Sequence, residues 1–289
     1  MSDNDAPPSP TKQDKHDSLA VGKVLEVVQE QGVVTDRELK VRLELDFFPW
    51  VVSRALRKLL NDGKLQKKKL PGRKSSRPGT TKKTESFFVL AGTQQEQVLS
   101  LMREKQKVSM DIIALLQGNS PFSEHAEDVF RSAFESLGFK IEGVDVSEYN
   151  GKKAIGVDFK EPPNVDFVVS KDNLVYGVDI KNWIRYEWDN KQDVLGKVNV
   201  AVQLGTIPFI VARYIDKDTI YKRVMPNSAN YGIVYRYETL IFPSYHVSLA
   251  NKASSLLGYP TLAVDNLPEF KIEWIRALHA LRLAKARRS

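Results

Sequence analysis

The chain has 289 residues, with 43 Lys and Arg against 36 Asp and Glu, a formal net charge of +7 and a pI near 9.3. It has no cysteine, which excludes disulfides, thiolate metal ligands and cysteine nucleophiles and fits a cytoplasmic protein. No apolar run reaches the roughly 18 residues of a membrane span, so no membrane partner is expected, and the basic balance favours an anionic one.

Residues 1–17 are polar and Pro-rich and are expected to be a disordered lead-in. Ser18 to Gln31 then sets Val21, Val24, Leu25 and Val28 at helical spacing, and Gly32 closes the helix. Thr35-Asp36-Arg37-Glu38 has the form of a capping box and opens a short second helix with Leu39 and Leu43 inward. Pro49, suited to a first helical turn, opens a third helix whose stripe is Val52, Ala55, Leu56, Leu59 and Leu60. Asp62-Gly63 turns the chain into Lys64–Leu70, and Phe87–Leu90 is a β-rich return. Between Lys64 and Lys83 lie nine basic residues and no acid. Such a run repels itself unless it is solvated or meets a polyanion.

Three helices followed by a hairpin with a long basic tip resemble the winged-helix form of helix-turn-helix domains, here spanning residues 18–92. The resemblance implies binding of double-stranded DNA, with the third helix in the major groove. It places Ser53, Arg54, Arg57 and Lys58 on the outward face of that helix. It also lays Arg73, Lys74, Arg77, Lys82 and Lys83 of the wing along backbone phosphates, where they give salt-dependent affinity rather than sequence choice. Winged helices also mediate contacts between proteins.

Thr93-Gln94-Gln95-Glu96 repeats the capping form. Val98, Leu99, Leu101 and Met102, continued by Ile112, Ile113, Leu115 and Leu116, make residues 93–118 a helical connector ending at Gly118-Asn119.

The second domain, 119–289, carries the candidate chemistry. Ser120-Pro121 suits a helix start, and Ala126, Phe130, Ala133, Phe134 and Leu137 form that helix's core stripe. Glu127 borders the stripe, where a lone carboxylate is costly to desolvate unless it snorkels outward or meets a cation. Asn164–Val169 reads as a strand, Ser170–Asn173 as a turn and Leu174–Lys181 as a second strand. Alternation puts Asp179 and Lys181 on one face and Val178 and Ile180 on the other. A two-residue turn at Asp172-Asn173 pairs Lys171 with Leu174 and brings Asp166 opposite Asp179. Opposed residues have Cβ atoms about 4.5–5.5 Å apart, so two carboxylates there call for a bridging divalent cation or a proton. Hard oxygen ligands suit Mg2+, with Mn2+ as a substitute.

Asp166 followed by Asp179-Ile180-Lys181 resembles the signature of the PD-(D/E)XK nuclease superfamily. The helix HAEDVFRSAFESLGF resembles the first helix of archaeal Holliday-junction resolvases, whose acidic residue about a dozen positions before Gly138-Phe139 maps onto Glu127. The resemblance covers roughly residues 120–215. It continues through a helix over Asp189–Leu204, with Val194, Leu195, Val198, Ala201 and Val202 inward, and a buried strand, Ile207–Ala212. The chain departs from the commonest pattern at Val165, where proline is usual, and at Asp179, where glutamate is more frequent. The implied fold is α/β: a restriction-endonuclease-like mixed sheet flanked by helices, preceded by a small winged-helix domain. The implied activity is that of a Mg2+-dependent endodeoxyribonuclease, restriction-type or structure-selective in repair or recombination. Asp166, Asp179 and Glu127 would serve as metal ligands and Lys181 as the residue that positions water or stabilises charge. Cutting both strands needs two sites, which is compatible with a homodimer. The alternative is a non-catalytic DNA-binding or transcription regulatory protein on a nuclease-like scaffold; an RNA-processing nuclease is a further one.

Other features carry less. Trp183, Tyr186 and Trp188 suit base stacking or simple packing. His125 and His246 are isolated, and Gln203 is a candidate neighbour of the site. A tail helix over Trp274–Arg288 carries Arg276, Arg282, Lys285, Arg287 and Arg288. No phosphate-binding loop is present.

Overall fold

A computed structural model describes residues 12–70, 85–116, 121–155, 163–182, 191–212 and 232–287. Arg73, Lys74, Arg77, Lys82 and Lys83 of the basic loop lie outside the described residues, as do Gly118-Asn119, Ser120, Trp183, Tyr186, Trp188 and Arg288. Two units partition the chain, one of residues 1–112 with 252–259 and one of 113–251 with 260–289. The division therefore falls at 112/113 rather than at 92/93 and 118/119, and the first unit reclaims a segment near the C-terminus.

In the first unit, α1 (Lys12–Gln31) begins inside the stretch expected to be disordered. Tertiary contacts order that turn: Asp17 accepts from the Arg54 guanidinium at 2.9 Å, and the His16 ring stands edge-on to Phe47. Ala20, Val24 and Val28 are its fully buried positions. After β1 (Val34–Thr35), α2 (Asp36–Arg42) starts on Thr35, whose hydroxyl accepts the Glu38 amide at 3.1 Å. Only half of the expected capping box forms, because the Glu38 carboxylate turns inward to two cations, Arg42 and Lys105. Next, α3 (Pro49–Asn61) buries Val51, Val52, Ala55, Leu56 and Leu59. Strands β2 (Leu65–Lys69) and β3 (Ser86–Leu90) pair antiparallel, and β1 adds to the other side of β3, giving the order β1-β3-β2.

Helix α4 (Gln95–Leu116) starts two residues after Thr93. The Gln97 side chain reaches back to accept the N–H of Gln94, just before the helix, at 3.1 Å. Its inward stripe of Val98, Met102, Val108 and Ile112 is interrupted by Lys105, of which 1% is exposed. Lys105 Nζ donates to the Val33 carbonyl at 2.7 Å and to both Glu38 carboxylate oxygens at 2.8 Å. Most of α4 is thus integral to this unit through a buried ion pair, a partnership that apolar periodicity does not encode.

The second unit is mixed α/β. Its five-stranded sheet has the order β10-β9-β8-β7-β4. The strands are β4 (Lys140–Val146), β7 (Val165–Lys171), β8 (Leu174–Lys181), β9 (Ile207–Ala212) and β10 (Ile233–Arg236). β5 (Glu148–Tyr149) and β6 (Lys152–Lys153) form a small separate pair. The β4–β7 and β7–β8 pairs are antiparallel and the β8–β9 and β9–β10 pairs parallel, so the sheet is mixed. α5 (Pro121–Ser136) packs Phe130 and Phe134 with Phe167, Val178 and Phe209 on one face. α6 (Lys191–Gln203), the crossover from β8 to β9, covers the other face through Val194, Val198, Val200 and Ala201. Val202, expected inward, is exposed; the helix turns Val200 and Leu204 to the sheet instead. β11 (Leu240–Phe242) and β12 (Thr261–Ala263) pair in parallel; the chain between them carries α7 (Val247–Leu257), whose residues from Lys252 on fall in the first unit. The last helix, α8 (Glu269–Ala286), begins directly after Pro268 rather than at Trp274, which is exposed. No described helix is long and apolar enough to cross a membrane.

Candidate functional site

The site grows from the β7–β8 hairpin. Its turn is Asp172-Asn173, both at positive φ (51° and 61°), the backbone that a tight two-residue hairpin needs and that Asp and Asn tolerate. The turn is two residues shorter than the expected Ser170–Asn173, and the register is Lys171 opposite Leu174 through Phe167 opposite Val178. The next step of the count is Asp166 opposite Asp179. At that step the Asp166 carboxylate accepts the Ile180 amide at 2.6 Å, a side chain standing in for the ladder.

Both carboxylates face the α6 side of the sheet. Asp179 is wholly buried, and Lys181 Nζ lies 2.9 Å from its Oδ1 and 2.8 Å from its Oδ2. Only the Oδ1 contact is aligned as a hydrogen bond; Oδ2 is buried and held by charge alone. Beyond Lys181 the strand exit is clamped by Asn182, whose amide exchanges hydrogen bonds with the backbone of Ile241 at 2.9 and 3.0 Å.

Gly177 explains how α6 comes so near. A Cβ there would lie 2.5 Å from Thr206 Oγ1 and 3.0 Å from the Ala201 Cβ. With only hydrogen at that position the helix closes onto β8 and delivers Lys197, a residue that sequence reasoning overlooked. Its ammonium donates to the Asn164 carbonyl at 2.9 Å and to Asn164 Oδ1 at 3.1 Å. It also stands 3.4 Å from Asp179 Oδ1 and 3.8 Å from Asp166 Oδ1. In sequence, Lys197 looks like any polar position between Val194 and Val198.

Even with two lysines present, negative charge is in surplus. Burial, then the Asp179 charge, pushes the Asp166 carboxyl up to about 7 against the opposing pull of Lys181, Lys197 and the Ile180 amide. Glu127 on α5 is half-buried, and burial followed by the charges of Asp166, Asp145 and Asp179 raises it to about 8. Asp145 is a second overlooked residue. It pairs by position with Asp166 on the neighbouring strand, since Val144 faces Phe167 and Val146 faces Val165, and its φ is 51°. The only sign in sequence would have been an acid in the strand before Asp166, which is too common a feature to stand out.

The four predicted residues thus divide. Asp166, Asp179 and Lys181 share one face, whereas Glu127 comes from the α5 side and is linked to them by electrostatic reach. Among the described residues, no three acidic or imidazole groups converge as a ready-made chelate. The donor set nonetheless fits a hard divalent cation: carboxylate oxygens, an Asp179 Oδ2 without a hydrogen bond, and two carboxyls raised by burial and then by their acidic neighbours. Gln203, expected near the site, instead bonds the backbone of Ile155, accepting from its amide at 2.8 Å. His125 contacts the Val264 carbonyl at 2.8 Å.

Compared with family models, with curated proteins and with solved structures, the chain matches none. Its reading therefore rests on its own residues.

On α3, Arg57 and Lys58 are exposed and Ser53 and Arg54 are half-exposed. Arg54 is paired with Asp17, and Lys58 lies 3.1 Å from Asp62. Trp50, not singled out from the sequence, is 45% exposed at the start of the same helix and stacks on Phe48 with ring centroids 4.5 Å apart.

Proposed function

We propose that this protein is a metal-dependent DNA endonuclease of the PD-(D/E)XK type, restriction-type or structure-selective, with a winged-helix domain that captures the duplex. The observation that carries the reading is Asp166 one step beyond the Phe167–Val178 pair of a two-residue hairpin, accepting the Ile180 amide next to Asp179, with Lys181 paired to Asp179. Asp166 and Asp179 would hold Mg2+ or Mn2+, with Glu127 supporting them. Such an ion supplies Lewis-acid stabilisation of phosphate charge and a nucleophilic water at neutral pH. Lys181 orients the attacking water or neutralises charge developing on the phosphate oxygens, an effect strengthened by burial. The α6–β8 packing excludes solvent from Asp179, so its charge is available undiluted to the site. In the first unit, three helices followed by the β2–β3 hairpin, to which β1 from between α1 and α2 adds, support the winged-helix reading, and exposed Arg57 and Lys58 suit phosphate contact. A homodimer would place two such sites on one duplex.

A second reading has its own support. Lys181 and Lys197 already compensate Asp166 and Asp179, as they would in a scaffold that binds DNA without cutting it. The deciding experiment incubates the purified protein with supercoiled plasmid and Mg2+ or Mn2+. Nicking or linearisation is expected, lost in Asp179→Ala and Lys181→Ala while gel-shift binding of duplex DNA persists. Cleavage that survives both changes removes the site assignment. Binding with no cleavage of plasmid, branched or single-stranded DNA favours the regulator.

A further inference from the structure

We propose that the Lys197 ammonium is a resident counter-ion of the Asp166–Asp179 pair, one that a divalent cation must displace, so that Lys197 sets the affinity of the site. The inference rests on the metal-site reading above and adds a residue and a regulatory property to it.

Lysine has three N–H donors and no acceptor. Two of those of Lys197 are engaged by one residue, through the Asn164 carbonyl at 2.9 Å and the Asn164 Oδ1 at 3.1 Å. That pair of bonds fixes where the ammonium stands. From there it faces Asp179 Oδ1 at 3.4 Å and Asp166 Oδ1 at 3.8 Å. One cation thus looks toward one oxygen of each opposed carboxylate, the position a bridging ion needs. Neither contact is a close hydrogen bond, so the ammonium is held by Asn164 and drawn to the acids by charge.

Lys181 differs in this respect. It grips Asp179 at 2.8–2.9 Å from the same strand, and its charge also acts on Asp166. Lys197 faces one oxygen of each acid, and it comes from a helix rather than from the hairpin.

With both lysines present the two acids are already balanced in number. A divalent ion entering beside them meets an ammonium a few ångströms away in a site where Asp179 has no water contact. Repulsion between like charges is strong at such range in a desolvated setting. The side chain of Lys197 is 25% exposed, so it has a way out when displaced. The site therefore takes its ion only above a threshold concentration, and neutralising Lys197 lowers that threshold.

The test is titration of Mn2+ into the full-length protein without DNA, by calorimetry or by the electron paramagnetic resonance signal of free Mn2+. Lys197→Met is expected to bind Mn2+ at least about tenfold more tightly than the unmodified chain. Lys197→Gln, neutral yet able to donate to Asn164, should show the same tightening and covers the case in which the methionine variant folds poorly. Lys197→Arg, which keeps the charge, should stay within about twofold of the unmodified protein. Binding that is unchanged or weaker in both neutral variants overturns the inference and leaves the metal-site reading standing. Failure of all four proteins to bind Mn2+ at millimolar concentration overturns both.

Discussion

Ile180 donates its amide to the Asp166 carboxylate at 2.6 Å, so the acid nearest the end of the hairpin is held by the strand that carries its opposite number, Asp179. The bond favours the charged form of Asp166, yet burial and Asp179 win, and the carboxyl rises to about 7. Glu127 rises to about 8 for the same leading reason. Acids whose pKa is higher folded than unfolded bind more protons in the folded state. Their contribution to stability is complete below the ordinary carboxylate range and is lost as pH rises toward 7–8.

The metal-free protein should therefore unfold at lower urea concentration at pH 8.5 than at pH 5.5, and Asp166→Asn or Glu127→Gln should flatten that slope. Saturating Mn2+ should flatten it too, because a bound cation replaces the proton. Urea midpoints across this range, with and without Mn2+, check the expectation. A slope identical in the unmodified protein and in both variants would show that these carboxyls are not the groups under strain.

Gly177→Ala tests whether close helix–strand approach builds the site. The added methyl meets Thr206 Oγ1 and Ala201, both anchored near the end of α6, where Thr206 donates to the Ala201 carbonyl at 2.8 Å. Overpacking of this kind costs about 1–3 kcal/mol. The shift of α6 should also move Lys197 relative to Asp179 and change Mn2+ affinity. An unaltered urea midpoint would mean that α6 yields at no cost.

Much of the candidate site was legible because it depends on local rules. Asp172-Asn173 determines the hairpin length, the length determines the register, and the register brings Asp166 to Asp179. Glu127 was visible as an acid beside an apolar stripe. Lys197, Asp145 and Lys105 were not, since each owes its place to a partner far along the chain: Asn164, Asp166 and Glu38. Periodicity reports which face of an element is buried, but a buried lysine reads as a break in the stripe. Residues 12–17 misled for a related reason. Their composition suits a solvated tail, yet Asp17 and His16 find Arg54 and Phe47.

Lys105→Ala should cost the first unit about 3–5 kcal/mol, the usual penalty for leaving a buried charge without its partner. Glu38 is 1% exposed and keeps Arg42 Nε at 2.9 Å, which places the expected loss toward the lower end. Lys105→Met with Glu38→Gln removes both charges and should recover most of it. Thermal unfolding of the two variants checks this. Equal destabilisation in both would mean that packing of the lysine stem, rather than its charge, holds α4.

Duplex DNA binding, if it uses α3, should respond to salt in a defined way. Arg57→Ala should weaken binding similarly for unrelated sequences and reduce the slope of log affinity against log salt by about 1, the signature of one lost phosphate contact. Fluorescence anisotropy at several salt concentrations measures both. A variant that changes sequence preference while leaving the slope intact would instead make Arg57 a base-reading residue.

At the turn end of the hairpin, Tyr176, His279 and Asp172 form a chain that ties α8 to the sheet. The Tyr176 hydroxyl is 2.9 Å from His279 Nδ1, and His279 Nε2 is 3.0 Å from Asp172 Oδ2. The histidine bond, first among its causes, holds the Asp172 carboxyl below its ordinary range. Tyr176 is fully buried, so His279→Phe would strand its hydroxyl without a partner, at a cost of about 1–3 kcal/mol. Tyr176→Phe in the same background removes the orphaned group and should return part of that loss. The pair should therefore be non-additive in a double-mutant cycle, with a coupling energy of about 0.5–3 kcal/mol. Additivity within error would mean that the ring packing of His279 on Phe139, not the hydrogen-bond chain, secures α8.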